Sequence, residues 1–136
     1  MIRNAIVAFL VLVAMAGCAA RPATDYTLIE TDFAYGPPSI VVPVGKPVTL
    51  TFVNNGAVEH DFVIQSIDVS NVSSDTAGDH HHDMTAAEYD LHTSTLPGET
   101  NVLIFTPEQA GRYEYFCTVK GHKEAGMIGT MTVVSE

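Results

Sequence analysis

The 136 residues predict an all-β fold, an antiparallel sandwich of short strands around one core. Three observations lead there. Apolar and polar residues alternate in several short runs, and prolines and glycines fall between those runs. No stretch carries the periodicity of a helix of useful length. Thr27 to Phe33 is the first candidate strand, and Tyr35-Gly36-Pro37-Pro38 breaks it. Ile40 to Val42 is the second, ending in the turn-like Pro43-Val44-Gly45-Lys46-Pro47. In Val48-Thr49-Leu50-Thr51-Phe52 the threonines separate three apolar residues, which places Val48, Leu50 and Phe52 on the core face. His60 to Gln65, Asn101 to Phe105 and Arg112 to Phe116 continue the series, and Ile128 to Val134 closes it with Met131 and Val133 inward. Ser66 to Tyr89 breaks the pattern, being polar and rich in Ser and Asp. Within it, Thr85-Ala86-Ala87-Glu88 has the form of a capping box for a single helical turn.

One domain suits this length. The N-terminal segment stands apart from it. Arg3 leads an apolar run from Ala5 to Ala16, short for a bilayer span and right for the apolar part of an export signal. Ala16-Gly17-Cys18 then resembles the cleavage site of a bacterial lipoprotein, with Met15 where Leu is usual. The chain therefore reads as a leader over 1–17, a lipidated Cys18 and tether over 18–26, and a domain over 27–136 with an insertion at about 66–89. Ordinary cleavage after Ala14-Met15-Ala16 is the alternative, leaving Cys18 a free thiol. Both readings export the chain, and the first anchors it by lipid on the periplasmic side of a bacterial membrane.

Of the two cysteines, Cys18 sits at the cleavage site and Cys117 in a loop motif, so no internal disulfide is expected. Removing the leader takes away Arg3 and no acid, which moves the net charge from −10 to −11. So acidic a domain excludes nucleic acid as a partner and suits a basic protein, although solubility alone also accounts for the charge.

The most specific motif is Cys117-Thr-Val-Lys-Gly-His122-Lys-Glu-Ala-Gly-Met127, with a thiol, an imidazole and a thioether at five-residue intervals. That step is too long for one helix face and suits a loop wrapped around one ion. Far upstream, His60 ends the turn-like Asn54-Asn55-Gly56-Ala57-Val58-Glu59 and opens the apolar run Phe62-Val63-Ile64. Two imidazoles, a thiolate and a weak thioether are the ligand set of a trigonal copper centre with a long axial bond. His60 and His122 bind as neutral imidazoles, and each needs its other ring nitrogen satisfied or open to water.

At these residues the chain resembles the cupredoxins, the small blue-copper electron carriers. Asn54-Asn55-Gly56 through His60-Asp61-Phe62, Gly111-Arg-Tyr-Glu-Tyr-Phe-Cys117, and Gly121-His122 through Gly126-Met127-x-Gly129 follow the family pattern in its order. The spacing of Cys117, His122 and Met127 is similar to the auracyanin and rusticyanin loops, and the resemblance covers roughly residues 27 to 134. It implies a Greek-key antiparallel β-sandwich with a variable flap at 66–89. It also implies one type 1 copper ion cycling between Cu(I) and Cu(II) on His60, Cys117, His122 and axial Met127. Met131 is the internal competitor for the axial place, but it falls on a strand and reads as core. Asp61 follows the first His where relatives carry Asn or Ser, and accepting a hydrogen bond from Thr118 would let it tie the ligand loops together. A solvated acid is the other reading of Asp61. Gly121, Ala125, Gly126 and Ile128, with Ala57 and Val58, would form an apolar docking patch around the downstream His; plain turn-forming residues are the alternative.

The function implied is a blue-copper protein, not an enzyme, that shuttles single electrons between redox partners such as cytochromes or a terminal oxidase or reductase. A copper storage or delivery protein is the alternative. Its support is the tract Asp79-His80-His81-His82-Asp83-Met84, with His92 not far away, which would bind Cu(II) or Zn(II) weakly. A solvated loop is the plainer reading of His80, His81 and His82. An oxidase of the multicopper type needs several His-x-His pairs and a Cys flanked by ligand histidines, whereas Phe116 and Thr118 flank Cys117.

Overall fold

The computed structural model describes residues 21–74 and 89–135. The expected leader, Cys18 and the histidine tract His80 to His82 lie outside the described residues. Among the described residues, ten strands build two facing sheets. The first holds β2 (Ala34–Gly36), β1 (Asp25–Thr31), β4 (Val48–Asn54), β8 (Thr100–Pro107) and β6 (Val69–Ser74), in that order. The second runs β3 (Ser39–Pro43), β10 (Ile128–Val134), β9 (Gly111–Phe116), β5 (His60–Ile64) and β7 (Leu91–Thr95).

Strand parity decides the core. Val48, Leu50 and Phe52 are fully buried, as their alternation with threonines requires, and Met131 and Val133 point inward from β10. Phe62, Phe105 and Tyr115 supply the bulk between the layers, and the Phe62 ring packs in tilted contact, centroids 4.9 Å apart, with both Phe52 and Tyr115.

Two of the pairings are parallel, β1 with β4 and β3 with β10, so the sheets are mixed within an otherwise antiparallel sandwich. The alternation of side chains is the same in either direction, so the pattern carries no sign of it. Three short strands also stand where no strand was expected. β2 occupies the proposed break, because Tyr35 pairs back with Glu30 before the prolines end the ladder. β6 and β7 flank the polar insertion, β6 lying on β8 and β7 on β5. The first strand ends at Thr31 instead of Phe33, since Phe33 turns to φ 71° and leaves the sheet.

The same parity carries an acid inward. Glu30 shares the inner face with Leu28, is fully buried, and has no well-formed hydrogen bond to either carboxyl oxygen. Burial pushes its carboxyl up to about 8; Thr95 lies close enough to offset part of that, and the Asp61 charge adds to it. A raised carboxyl favours the folded state while it is protonated. Its contribution is therefore lost as pH rises from the ordinary carboxylate range through about 8. Thermal melts of the metal-free Glu30→Gln chain should show a gain over the parent at pH 9 and little difference at pH 4. Equal gains at both pH values would assign the effect to packing instead of charge.

Candidate metal centre

The end of the sandwich where β5 begins is also where β9 ends, because these neighbours run antiparallel with Val63 opposite Phe116. His60 opens β5, Cys117 follows the last residue of β9, and Met127 precedes the first residue of β10. The sheet thus delivers three of the four expected ligands to one rim.

The loop before His60 is held from inside by Asn54. Its Nδ2 donates to the carbonyls of Val58 and Thr95, both at 2.8 Å, and its Oδ1 accepts the Gly56 N–H at 2.8 Å. Gly56 has no room for a side chain: a Cβ there would stand 2.5 Å from His60 Nε2 and 2.6 Å from Asp32 Oδ1.

The loop after Cys117 is folded by its own backbone. His122 N–H donates to the Val119 carbonyl and Met127 N–H to the His122 carbonyl, both at 3.0 Å. Cys117 N–H closes the ring on the Met127 carbonyl at 3.2 Å. Gly121 and Gly126 take the left-handed conformations (φ 85° and 105°) that let so short a loop turn twice.

These two loops bring His60, Cys117 and His122 together, with one donor atom from each lying within 4.8 Å of the others. Cys117 Sγ is 3.5 Å from His122 Nδ1, and the two imidazole centroids are 5.1 Å apart. His60 and Cys117 are fully buried and His122 is 6% exposed. Met127 is fully buried and bonded through its backbone to both Cys117 and His122. Met131, equally buried, lies along β10 opposite Tyr113.

The electrostatics favour a soft cation. Neither ring nitrogen of His60 has a hydrogen-bond partner, although Asp32 Oδ1 stands 3.4 Å from Nε2 out of alignment. Burial, and then His122, push the His60 imidazole below its ordinary value, with Asp32 opposing, so it is a neutral donor at pH 7. Burial likewise pushes the Cys117 thiol up to about 11, against N–H groups of Asp61 and Val119 that favour the thiolate. The Asp61 N–H lies 3.4 Å from the sulfur. Two buried imidazoles, one with neither ring nitrogen bonded, and one buried thiol suit copper better than any oxygen-loving ion.

A family profile described as a cupredoxin-like domain matches residues 5–133. The chain belongs to the cupredoxin-like family. This cupredoxin is 32% identical over 99 residues to plastocyanin from Scenedesmus fuscus, covering 73% of this chain and 85% of that one. It is 26% identical over 123 residues to the copper-resistant cuproprotein CopI of Rubrivivax gelatinosus, covering 86% of this chain and 70% of CopI. Among solved structures it is similar to dithionite-reduced auracyanin from Roseiflexus castenholzii, with a TM-score of 0.64 and 23% identity over 84% of this chain and 99% of that one. Auracyanin B superposes with a TM-score of 0.63 and 26% identity, over 85% of this chain and 92% of that one.

Beside the candidate ligands, Thr118 donates its hydroxyl to Asp61 Oδ2, joining the two loops that carry them. Burial alone would raise the Asp61 carboxyl, but His92, with Nε2 3.8 Å away, and Thr118 outweigh it and hold the group below its usual range. His92 thus serves Asp61 at the sheet edge. Ala57, Val58, Gly121, Ala125, Gly126 and Ile128 are all exposed.

Three residues near the site went unread in the sequence: Glu30, Asp32 and Phe33. Phe33, half exposed, sets its ring edge against His122 with centroids 5.1 Å apart. Only strand parity marks Glu30, and only the turn between β1 and β2 marks the other two.

A thiol raised this far must lose its proton to a metal. Copper(I) affinity should therefore rise about tenfold per pH unit between pH 7 and 9, one proton leaving per ion bound. Competition with a chelator of known pH behaviour measures the slope. A flat profile would mean that Cys117 does not ligate.

Proposed function

We propose that this cupredoxin is an electron carrier holding one type 1 copper ion on His60, Cys117 and His122, with Met127 as the weak axial ligand. The observation that carries this is the convergence of a buried thiol and two buried imidazoles from the rim of β5 and the loop between β9 and β10. When bound, copper supplies a one-electron couple. The chain's contribution is rigidity: ligands fixed by Asn54 and by the closed loop move little when the charge changes, and water is kept out of the dry pocket. The exposed apolar residues around His122 support partner docking there, and the acidic surface suits a basic redox protein such as a cytochrome, or a terminal oxidase or reductase. The leader-like N-terminus and Cys18 support export and a lipid anchor on the periplasmic side of a bacterial membrane.

A second reading, copper storage or delivery, draws on the similarity to CopI and on the histidine tract. The burial of His60, Cys117 and Met127 favours electron transfer, because a site that exchanges its metal needs ligands within a recipient's reach.

A visible and EPR spectrum of the copper-loaded chain, with a metal count, tests the choice. One narrow-hyperfine copper per chain supports the carrier, and additional ordinary Cu(II) signals support storage. Cys117→Ser should abolish the intense visible band while the sandwich stays folded by circular dichroism, and a coloured variant would sink the ligand assignment. Met127→Leu should keep the colour and raise the reduction potential, since it removes a donor that stabilises Cu(II); an unchanged potential would remove Met127 from the axial place.

A further inference from the structure

The turn between β1 and β2 reaches both histidines of the centre. Asp32 Oδ1 lies 3.4 Å from His60 Nε2, and the adjacent Phe33 sets its ring against His122. Two features show that this approach is built into the fold. First, the same Asp32 oxygen accepts the Ala57 N–H at 3.1 Å, which pins the turn to the loop that carries His60. Second, Gly56 leaves open the space between the carboxylate and the imidazole that a Cβ would fill. The turn is also strained: Phe33 sits at φ 71°, a left-handed conformation unfavourable for a bulky residue. Strain of that kind persists where the surroundings over-determine the geometry, and here both turn side chains end on the site.

A neutral imidazole carries one ring proton, and the neighbour of each nitrogen decides which one holds it. Nε2 of His60 faces the carboxylate and is walled by Gly56, which leaves Nδ1 for a metal. We propose that Asp32 is a positioning residue of the centre, accepting the Nε2–H of His60 and so fixing the tautomer and ring orientation that present Nδ1 to the ion. The pair is a carboxylate–histidine–metal arrangement, in which the outer carboxylate raises the basicity of the inner ligand. A metal held on Nδ1 would make the opposite N–H a stronger donor toward the Asp32 carboxylate that already faces it. The acid is half exposed, so it tunes the ligand without adding a buried charge to the site.

This inference rests on the copper reading of the site, and two readouts separate their failures. The first uses the metal-free chain at pH 8: long-range proton–nitrogen correlation spectra report the His60 tautomer through its carbon-bound protons. The parent should carry the proton on Nε2, and Asp32→Ala should give a mixture. A parent with the proton on Nδ1 would overturn the proposal, whether or not the protein binds copper. The second readout is copper(II) affinity by chelator competition. Asp32→Ala should lose about 10- to 100-fold and show a raised reduction potential. Asp32→Asn, which keeps an oxygen acceptor without the charge, should recover most of the affinity and only part of the potential. A purely structural turn residue predicts lower melting temperatures for both variants with affinity and potential within twofold and a few millivolts of the parent, and that result would also overturn it. A parent that binds no copper sinks the copper reading and leaves the tautomer to decide the place of Asp32.

Discussion

The 3.2 Å bond from Cys117 N–H to the Met127 carbonyl stands at the point where β9 and β10 begin to pair. It turns the residues between them into a closed ring instead of an open loop. Cys117 and Met127 are thereby locked to the sheet, and His122 is carried between them on its own backbone bonds to Val119 and Met127. His60 arrives from a different part of the chain, and Val63 opposite Phe116 is the pairing that brings it alongside. Without that ring Cys117 and His122 would sit on an open loop. With it they are preset beside His60, and the ordering cost is met by the ladder of β9 and β10.

The cluster is expensive in isolation. The buried His60 imidazole and the Glu30 carboxyl on the inner face of β1 forgo hydrogen bonds that solvent would have supplied. The aromatic core of Phe52, Phe62, Phe105 and Tyr115 supplies the apolar burial that offsets this, and it does so one layer away from the rim. Tyr35 links the two regions: its ring packs edge-on against Tyr115 at 5.2 Å while its hydroxyl donates to the Asp61 carbonyl beside the site. The core therefore fixes the rim's position, and Cys117 and Met127 belong to the same buried cluster.

Much of this was legible in the sequence because it is periodic or ordered. Val48, Leu50 and Phe52 betray an inward face by alternation, and the series His60, Cys117, His122 and Met127 betrays a candidate centre by residue type and spacing, of which the structure gathers the first three. What stayed hidden has physical reasons. Parallel and antiparallel ladders share one side-chain period, so the pairing of β1 with β4 leaves no mark. β2, β6 and β7 are short and lean on neighbours, so their pairing is decided by tertiary contact and not by propensity. Glu30 obeys parity while violating polarity, and parity won. Asp32 and Phe33 matter through their distance to histidines many residues away, which no local pattern encodes.

The depth of Cys117 also bears on the life of the protein before any metal reaches it. Oxidants attack thiolates at exposed sites, and this sulfur is fully buried, with its proton held to about pH 11. It has no second thiol among the described residues with which to form a disulfide. Burial thereby slows the irreversible sulfinic and sulfonic steps at this candidate ligand. The depth that shapes the centre also shields its sulfur.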